Sequence, residues 1–205
     1  MPNYNRVAWI YDRLAKIVFG EKQQLAKKVF LDQIPDKSRI LVVGGGTGSI
    51  LNYLQELNNE LEVDFVEKSS NMMFKARRRD ITSLKVNFYH HSILDLETTG
   101  YDVILTSFFF DQFTEEQAHI ILLHLKPKLR PDGILIFSDF IKTNHPWDRI
   151  VAHLMFSFFR LTVNVRAQSF PPYDALFSSL GFYTRSYKKI GRNILAVTYS
   201  LVPPI

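Results

Sequence analysis

The chain has 205 residues, 46% of them hydrophobic and 22% charged, the composition of a soluble globular domain with a sizeable core. It has no cysteine, which excludes a disulfide framework, a thiol nucleophile and a thiolate metal site and fits a reducing, cytoplasmic setting. The 25 Lys+Arg against 20 Asp+Glu give a net charge of +5; much of it sits in Lys75, Arg77, Arg78 and Arg79, a run that reads as a solvated helix face rather than a nucleic-acid surface.

Met1 to Tyr4 lacks the basic-then-apolar pattern of a signal peptide. Tyr4 to Phe19 is expected to be helical with Gly20 as its C-cap. A second helix is expected from about Glu21 to Ile34, with Ala26, Val29, Phe30 and Gln33 on neighbouring turns, stopping at Pro35. Arg39 to Val43 is a compact apolar run, the mark of a strand buried on both faces. Gly44 to Gly48 then opens a helix from Ser49 to Leu57. A strand at Glu62–Val66, a helix from about Ser69-Ser70 to Asp80, and strands at Lys85–His90 and Asp102–Thr106 continue the alternation.

Ala118, Ile121, Leu122, Leu125 and Leu129 follow one another at helical spacing, a single apolar stripe facing a sheet. Pro131-Asp132-Gly133 reads as a tight turn and Ile134–Phe140 as a fifth strand. Trp147 to about Leu161 reads as a bulky aromatic helix. The apolar stretch 150–165 carries His153, Arg160 and Asn164 and falls short of the ~20 apolar residues of a membrane span. Pro171-Pro172 mark a break, and Tyr173–Leu180 is a short helix ending at Gly181. Phe182–Ile190 and Ile194–Leu201 form a hairpin about Gly191-Arg192-Asn193. Such strand–helix–strand order demands a doubly wound, mostly parallel α/β sheet with helices on both faces, to which the hairpin adds one antiparallel strand. The chain reads as one domain.

The most informative segment is Ile40-Leu41-Val42-Val43-Gly44-Gly45-Gly46-Thr47-Gly48-Ser49-Ile50-Leu51, a buried strand running through a glycine turn into a helix. Glycines permit positive φ and let a ligand approach the backbone, and a helix start presents free N–H groups, which suits a nucleotide-like ligand or a carboxylate. A dinucleotide fingerprint wants G-x-G-x-x-G. Ser49 or Leu51 occupies the third glycine place in either register, so the spacing here is G-x-G-x-G. Glu67, ending the second strand, would stand beside this loop, where its carboxylate can accept hydrogen bonds from ribose hydroxyls.

These residues resemble those of the class I S-adenosylmethionine-dependent methyltransferases. Gly44-Gly45-Gly46-Thr47-Gly48 matches that family's first motif, and Glu67-Lys68-Ser69-Ser70-Asn71-Met72-Met73 is similar to its acid–x–S–x–x–M second motif. Tyr101 to Thr106 looks like its fourth strand, and Leu129-Arg130-Pro131-Asp132-Gly133 matches the L-x-P-x-G approach to strand five. The resemblance covers roughly Arg39 to Phe140. It implies a Rossmann-like, seven-stranded sheet with the last strand antiparallel. S-adenosyl-L-methionine is the implied cofactor, with contacts at Gly44, Gly45, Gly46, Thr47, Gly48, Glu67, Lys68, Met72, Ser92, Ile93, Thr106 and Ser107. Glu67 would hold the ribose and the residues just beyond it would flank the adenine. Two positions depart from the pattern: Val42 stands where many members carry an acid, and Ser92 where an Asp usually meets the adenine amino group. A non-catalytic cofactor-binding module therefore stays open as an alternative, as does an NAD(P)-dependent oxidoreductase, which the missing third glycine disfavours.

By the same resemblance, residues 1–34 form an amino-terminal helical lid, in which Tyr4 and Tyr11-Asp12 resemble a closing element over the methionine end. Residues 39–140 form the cofactor-binding core, 142–180 an acceptor-site insert and 182–201 the terminal hairpin. Methyl transfer asks mainly for alignment of an already activated methyl group, with a base only where the acceptor must lose a proton. Asp111 and Tyr11 are the candidate catalytic residues, with His145 behind them. Trp147, Met155, Phe156, Phe158 and Phe159 make the insert apolar, which suggests a small hydrophobic or amphiphilic acceptor, contact with a membrane surface, or a homodimer contact. Phe170-Pro171-Pro172-Tyr173 is set aside as a turn. The adjacent His90-His91 point to opposite faces of a strand and form no metal pair. No metal is expected.

Overall fold

The computed structural model describes residues 20–57, 60–141, 145 and 170–201. The helices expected over Tyr4–Phe19 and Trp147–Leu161, with Tyr11 and the apolar insert, lie outside the described residues. Seven strands, β1 (Arg39–Val43), β2 (Glu62–Val66), β3 (Lys85–Tyr89), β4 (Tyr101–Ser107), β5 (Leu129–Phe140), β6 (Phe182–Ile190) and β7 (Ile194–Leu201), form one sheet in the order β3-β2-β1-β4-β5-β7-β6. All are parallel except β7, which runs antiparallel to both β5 and β6. The helices are α1 (Gly20–Lys28), α2 (Ser49–Gln55), α3 (Ser70–Arg77), α4 (Glu115–Leu125) and α5 (Tyr173–Ser179). The expected sheet of seven strands, with helices on both faces and the last strand reversed, is the one observed.

Alternation along the strands sorts the core into two layers. On one face α4 and α5 pack Ala118, Ile121, Leu122, Leu125, Leu176 and Phe177 against Leu41, Ile104, Leu135 and Phe137. This layer absorbs many of the phenylalanines: Phe137 and Phe177 lie 5.3 Å apart edge to face, and Phe177 stacks on Tyr199 at 4.1 Å. Such pairs add about 0.5–1.5 kcal/mol each beyond the area they bury. On the other face α2 and α3 set Ile50, Leu51, Leu54, Met73 and Ala76 on Ile40, Val42, Phe65 and Val103. Thr114 caps α4 in a capping box with Gln117.

Several elements differ from the sequence reading. The helix expected over Glu21–Ile34 stops at Lys28, because Phe30 turns left-handed at φ 68° and packs between two apolar clusters, leaving one 3-10 turn at Leu31–Gln33. Leu129 continues the apolar stripe of α4 in sequence but belongs to β5, since Lys126-Pro127-Lys128 tightens into a 3-10 turn that proline cannot extend as helix. Pro131-Asp132-Gly133 is not a turn before β5. It lies inside that strand, whose register against β4 shifts between Tyr101 and Val103.

At the amino-terminal side of the sheet, Asp64 is wholly buried and fully partnered. It accepts from Arg39 Nη2 at 2.8 Å, Tyr101 Oη at 2.7 Å and Asn87 Nδ2 at 2.8 Å. A buried carboxylate is tolerable only with such partners, and these three come from β1, β4 and β3. The four strands that carry the glycine loop and its neighbours are thus tied together below it.

Candidate active site

Val43 of β1 pairs with Val66 of β2 and Thr106 of β4, so the ends of three parallel strands lie level at one edge, where the strand order changes direction. In open α/β sheets this crevice is the usual ligand site. The loop 44–48 fills its centre. A Cβ on Gly44 would overlap the Phe109 ring, and one on Gly45 the Phe65 ring. Gly46, at φ 58°, faces open space, with nothing within 4 Å of where its Cβ would be. Two glycines are therefore demanded by packing beneath the loop, and the third by a backbone turn on its open side.

The loop is gripped on several sides. Gly44 and Gly45 donate their N–H groups to the Val66 carbonyl at 2.9 and 3.3 Å, and Gly48 donates to Gly45 O at 3.0 Å. Gly46 donates to Glu67 Oε2 at 2.9 Å. Arg79 donates from Nε to Thr47 O at 2.5 Å and from Nη2 to Thr47 Oγ1 at 3.3 Å, and Lys27 donates to Ser49 Oγ at 3.0 Å. Arg79 thus departs from the solvated face expected of the basic run: Lys75, Arg77 and Arg78 are exposed, but Arg79 folds back over the loop. Most of the loop's amides are engaged inside the protein, as a tight turn requires of its own backbone. Thr47 N–H has no acceptor among the described residues.

Glu67 is held at both oxygens, since Oε1 accepts the Ser69 N–H at 2.7 Å. Ser69 in turn caps α3, its Oγ accepting from Met72 N at 3.4 Å. The acid–x–S–x–x–M pattern is therefore one physical unit: a strand end, a turn that aims the carboxylate, and the helix cap that follows. Glu67 and Met72 are half-buried, and Lys68 is exposed with its carbonyl 3.2 Å from His90 Nε2. Beyond β3, Ser92 caps a 3-10 turn by accepting from Leu94 N at 3.3 Å, and Ile93 is buried behind it. Ser107 stands half-buried at the end of β4, whereas Thr106 lies within the core at 1% exposure, its hydroxyl unpartnered among the described residues.

After β4 the chain turns sharply. Phe108 adopts φ 54°, a conformation that costs a β-carbon-bearing residue roughly 1–2 kcal/mol. The turn sends Phe109 against Gly44 and Phe110 into the core, and it brings Asp111 to the edge, half-buried. Burial pushes the Asp111 carboxyl up to about 7. Beside it, from β5, stands Asp139, a residue that did not stand out in the sequence. It is fully buried and accepts from Phe110 N and Phe140 N, both at 2.8 Å. Burial, and then the Asp111 charge, raises its carboxyl well above the ordinary range. The signal that could have found it is an acid at the carboxyl end of a buried strand. His145 is exposed.

Residues 41–135 match the family described as methyltransferase domain. The chain is 23% identical over 122 residues to the carboxy-S-adenosyl-L-methionine synthase of Campylobacter fetus subsp. fetus, covering 59% of this chain and 52% of that protein. It is 27% identical over 138 residues to the malonyl-(acyl-carrier protein) O-methyltransferase of Priestia megaterium, covering 67% of this chain and 49% of the relative. The chain thus spans about half the length of the curated relatives it matches. Among solved structures it superposes on a DhpI–S-adenosylhomocysteine complex with a TM-score of 0.71 at 15% identity, covering 98% of this chain and 94% of the other. It superposes on the Burkholderia thailandensis 1,6-didemethyltoxoflavin-N1-methyltransferase with a TM-score of 0.68 at 15% identity, covering 98% and 87%. Motifs, strand order and these matches agree: residues 41–135 carry the methyltransferase-domain match, and the sheet has the strand order of the Rossmann-like fold of these neighbours.

Proposed function

We propose that the chain binds S-adenosyl-L-methionine and transfers its methyl group to a small acceptor. The observation that carries this reading is Glu67, fixed by two backbone amides beside the open face of Gly46. Each carboxylate oxygen keeps a second lone pair, so the ribose diol can be bound without breaking either amide bond. Met72 and Ile93 would flank the adenine, Ser92 and Lys68 would lie along its rim, and loop 44–48 with Ser107 would border the methionine end. Thr106 would support the site from below through packing. When bound, the cofactor supplies an activated methyl group; the protein's part is to orient it and exclude water. Asp111 stands on the acceptor side, and Tyr11 would close over the site from the amino-terminal segment. The apolar run that includes Trp147, Phe156 and Phe159 favours a hydrophobic or amphiphilic acceptor. The malonyl-(acyl-carrier protein) O-methyltransferase relative and the 1,6-didemethyltoxoflavin-N1-methyltransferase neighbour both carry methyltransferase names, which supports transfer chemistry over simple binding.

Calorimetry with S-adenosylhomocysteine and with NAD tests the cofactor. Binding of the first alone is expected, and Glu67→Gln should weaken it about 10- to 100-fold, the range for a charge-assisted hydrogen bond pair. Unchanged affinity in the variant overturns the reading. A second reading, a non-catalytic binding module, is favoured by the absence of acids at Val42 and Ser92. Release of labelled methyl to acceptor pools separates it from an active enzyme.

A further inference from the structure

One polar cluster is not used by cofactor binding. Asp139 sits on β5 above Phe137, without solvent exposure, its two oxygens taken by the amides of Phe110 and Phe140. Asp111 follows on the turn after β4 and directs its own amide toward Asp139. From the helical layer α5 brings Tyr173, 4% exposed, whose hydroxyl has no partner among the described residues. Both carboxylates act electrostatically on that phenol. Phe137, 4.7 Å from Tyr173 between ring centres, walls the group below, and Phe110 lies against Phe137. A buried hydroxyl normally finds an acceptor, and leaving one unpaired costs about 1–3 kcal/mol. Two acids and an unpaired phenol thus meet at the sheet edge, Asp111 standing two residues beyond Phe109, whose ring lies against the glycine loop.

We infer that Asp111, Asp139 and Tyr173 form the proton-accepting half of the acceptor site, and that the acceptor is a neutral molecule methylated at an ionisable O–H or N–H. This rests on the methyltransferase reading above. A lone pair on the acceptor oxygen or nitrogen forms the bond to the methyl carbon. The sulfur–methyl bond breaks with its electrons remaining on sulfur, which becomes a neutral thioether, and the acceptor proton passes to the Asp111 carboxylate. Asp111 is the group that touches the acceptor. Asp139 and Tyr173 are positioning residues: burial and the Asp111 charge keep the Asp139 carboxyl protonated, which leaves Asp111 as the carboxylate, and the bonds of Asp139 to Phe110 and Phe140 fix the turn. Tyr173 offers its O–H to the acid pair or to the acceptor oxygen. The titratable groups that act on one another here come from the turn (Asp111), β5 (Asp139) and α5 (Tyr173).

The test uses the whole chain, methyl-labelled S-adenosyl-L-methionine and two matched probe sets: phenols and N–H heterocycles, and the corresponding anisoles, tertiary amines and thioethers. Transfer is expected only to the first set, at a rate that climbs with pH to about 7. Asp111→Asn should lower the rate about 100-fold, within the range for loss of a general base, and abolish the pH dependence. Tyr173→Phe should lower the rate less and displace the pH midpoint. Carbon-detected NMR of Asp carboxyls, without acceptor, should show one group titrating near neutrality that disappears in Asp111→Asn and moves in Tyr173→Phe. Transfer to the aprotic set, none to the protic set, full activity in Asp111→Asn, or the absence of that carboxyl titration overturns the inference. Failure of S-adenosylhomocysteine to bind the wild-type chain brings down the methyltransferase reading instead.

Discussion

The two halves of the crevice are built on different physics. On the β1–β2 side the site is made of backbone: Gly46 and Ser69 amides aim one carboxylate, and Arg79 and Lys27 hold the loop from outside. On the β4–β5 side it is made of side chains, with Phe109, Phe110 and Phe137 enclosing two acids and a phenol. Backbone positions a group with little dependence on neighbouring residue identity, so the first half takes the form of a short motif. The second half depends on which rings and acids meet across three elements, and such a wall can be rebuilt for a different acceptor without disturbing the loop.

Substitutions at adjacent glycines should sharpen this contrast most. Gly45→Ala drives a methyl into the Phe65 ring beneath the loop. Overpacking of that kind costs about 1–3 kcal/mol, so thermal unfolding should fall by several degrees and S-adenosylhomocysteine binding should be lost with it. Gly46→Ala meets no atom and pays only for its positive φ, roughly 1–2 kcal/mol. An equal fall in both variants would mean that Phe65 yields and that the loop is less closely seated than its geometry shows.

A smaller effect is expected at Arg79. Arg79→Ala removes the donors to Thr47 and should weaken S-adenosylhomocysteine about 10-fold with little change in melting temperature, on the scale of about 1.5 kcal/mol for a charged hydrogen bond. Arg79→Lys restores one donor and should recover part of the loss. If the affinity stays at the wild-type value in calorimetry, the grip on the loop is ornamental, and the backbone half of the site rests on Glu67 alone.

The effect expected in the other half shows only as a dependence on pH. The Asp111 carboxyl is raised, from 3.8 to about 7, so the native state keeps a proton that the unfolded chain has already released. Its contribution therefore makes stability fall as pH rises through that window. Asp111→Asn should flatten the decline, gaining relative to the wild type at pH 8 and not at pH 3. Parallel melting curves across that range would show that Asp111 is solvated like an ordinary surface acid.

Much of the backbone half could be read directly from the residues. Arg39–Val43, Gly44–Gly48, Glu67 and Ser69 stand in one local pattern, and β2, β6 and β7 begin and end at the residues expected of them from the sequence. What escaped was set by contacts between distant segments. Leu129 fits the apolar stripe of α4, and only the 3-10 turn at Lys126–Lys128 moves it into β5. Phe30 ends its helix because two clusters compete for its ring. Arg79 looks like its exposed neighbours Arg77 and Arg78 until the chain folds the end of α3 over Thr47. Asp139 and Tyr173 lie far apart in the chain, and Tyr173, next to Pro171-Pro172, has the local pattern of a turn.

The internal bonding of the glycine loop bears on turnover. Gly44, Gly45, Gly46 and Gly48 already have acceptors within the protein, so the loop has one shape to offer whatever arrives. The loop itself, Gly44 to Gly48, carries no charged side chain with which to tell a sulfonium from a neutral thioether. A scaffold so set would grip the demethylated nucleoside about as firmly as the fresh donor, leaving clearance of the spent product, rather than supply of the donor, to govern how fast the cycle repeats.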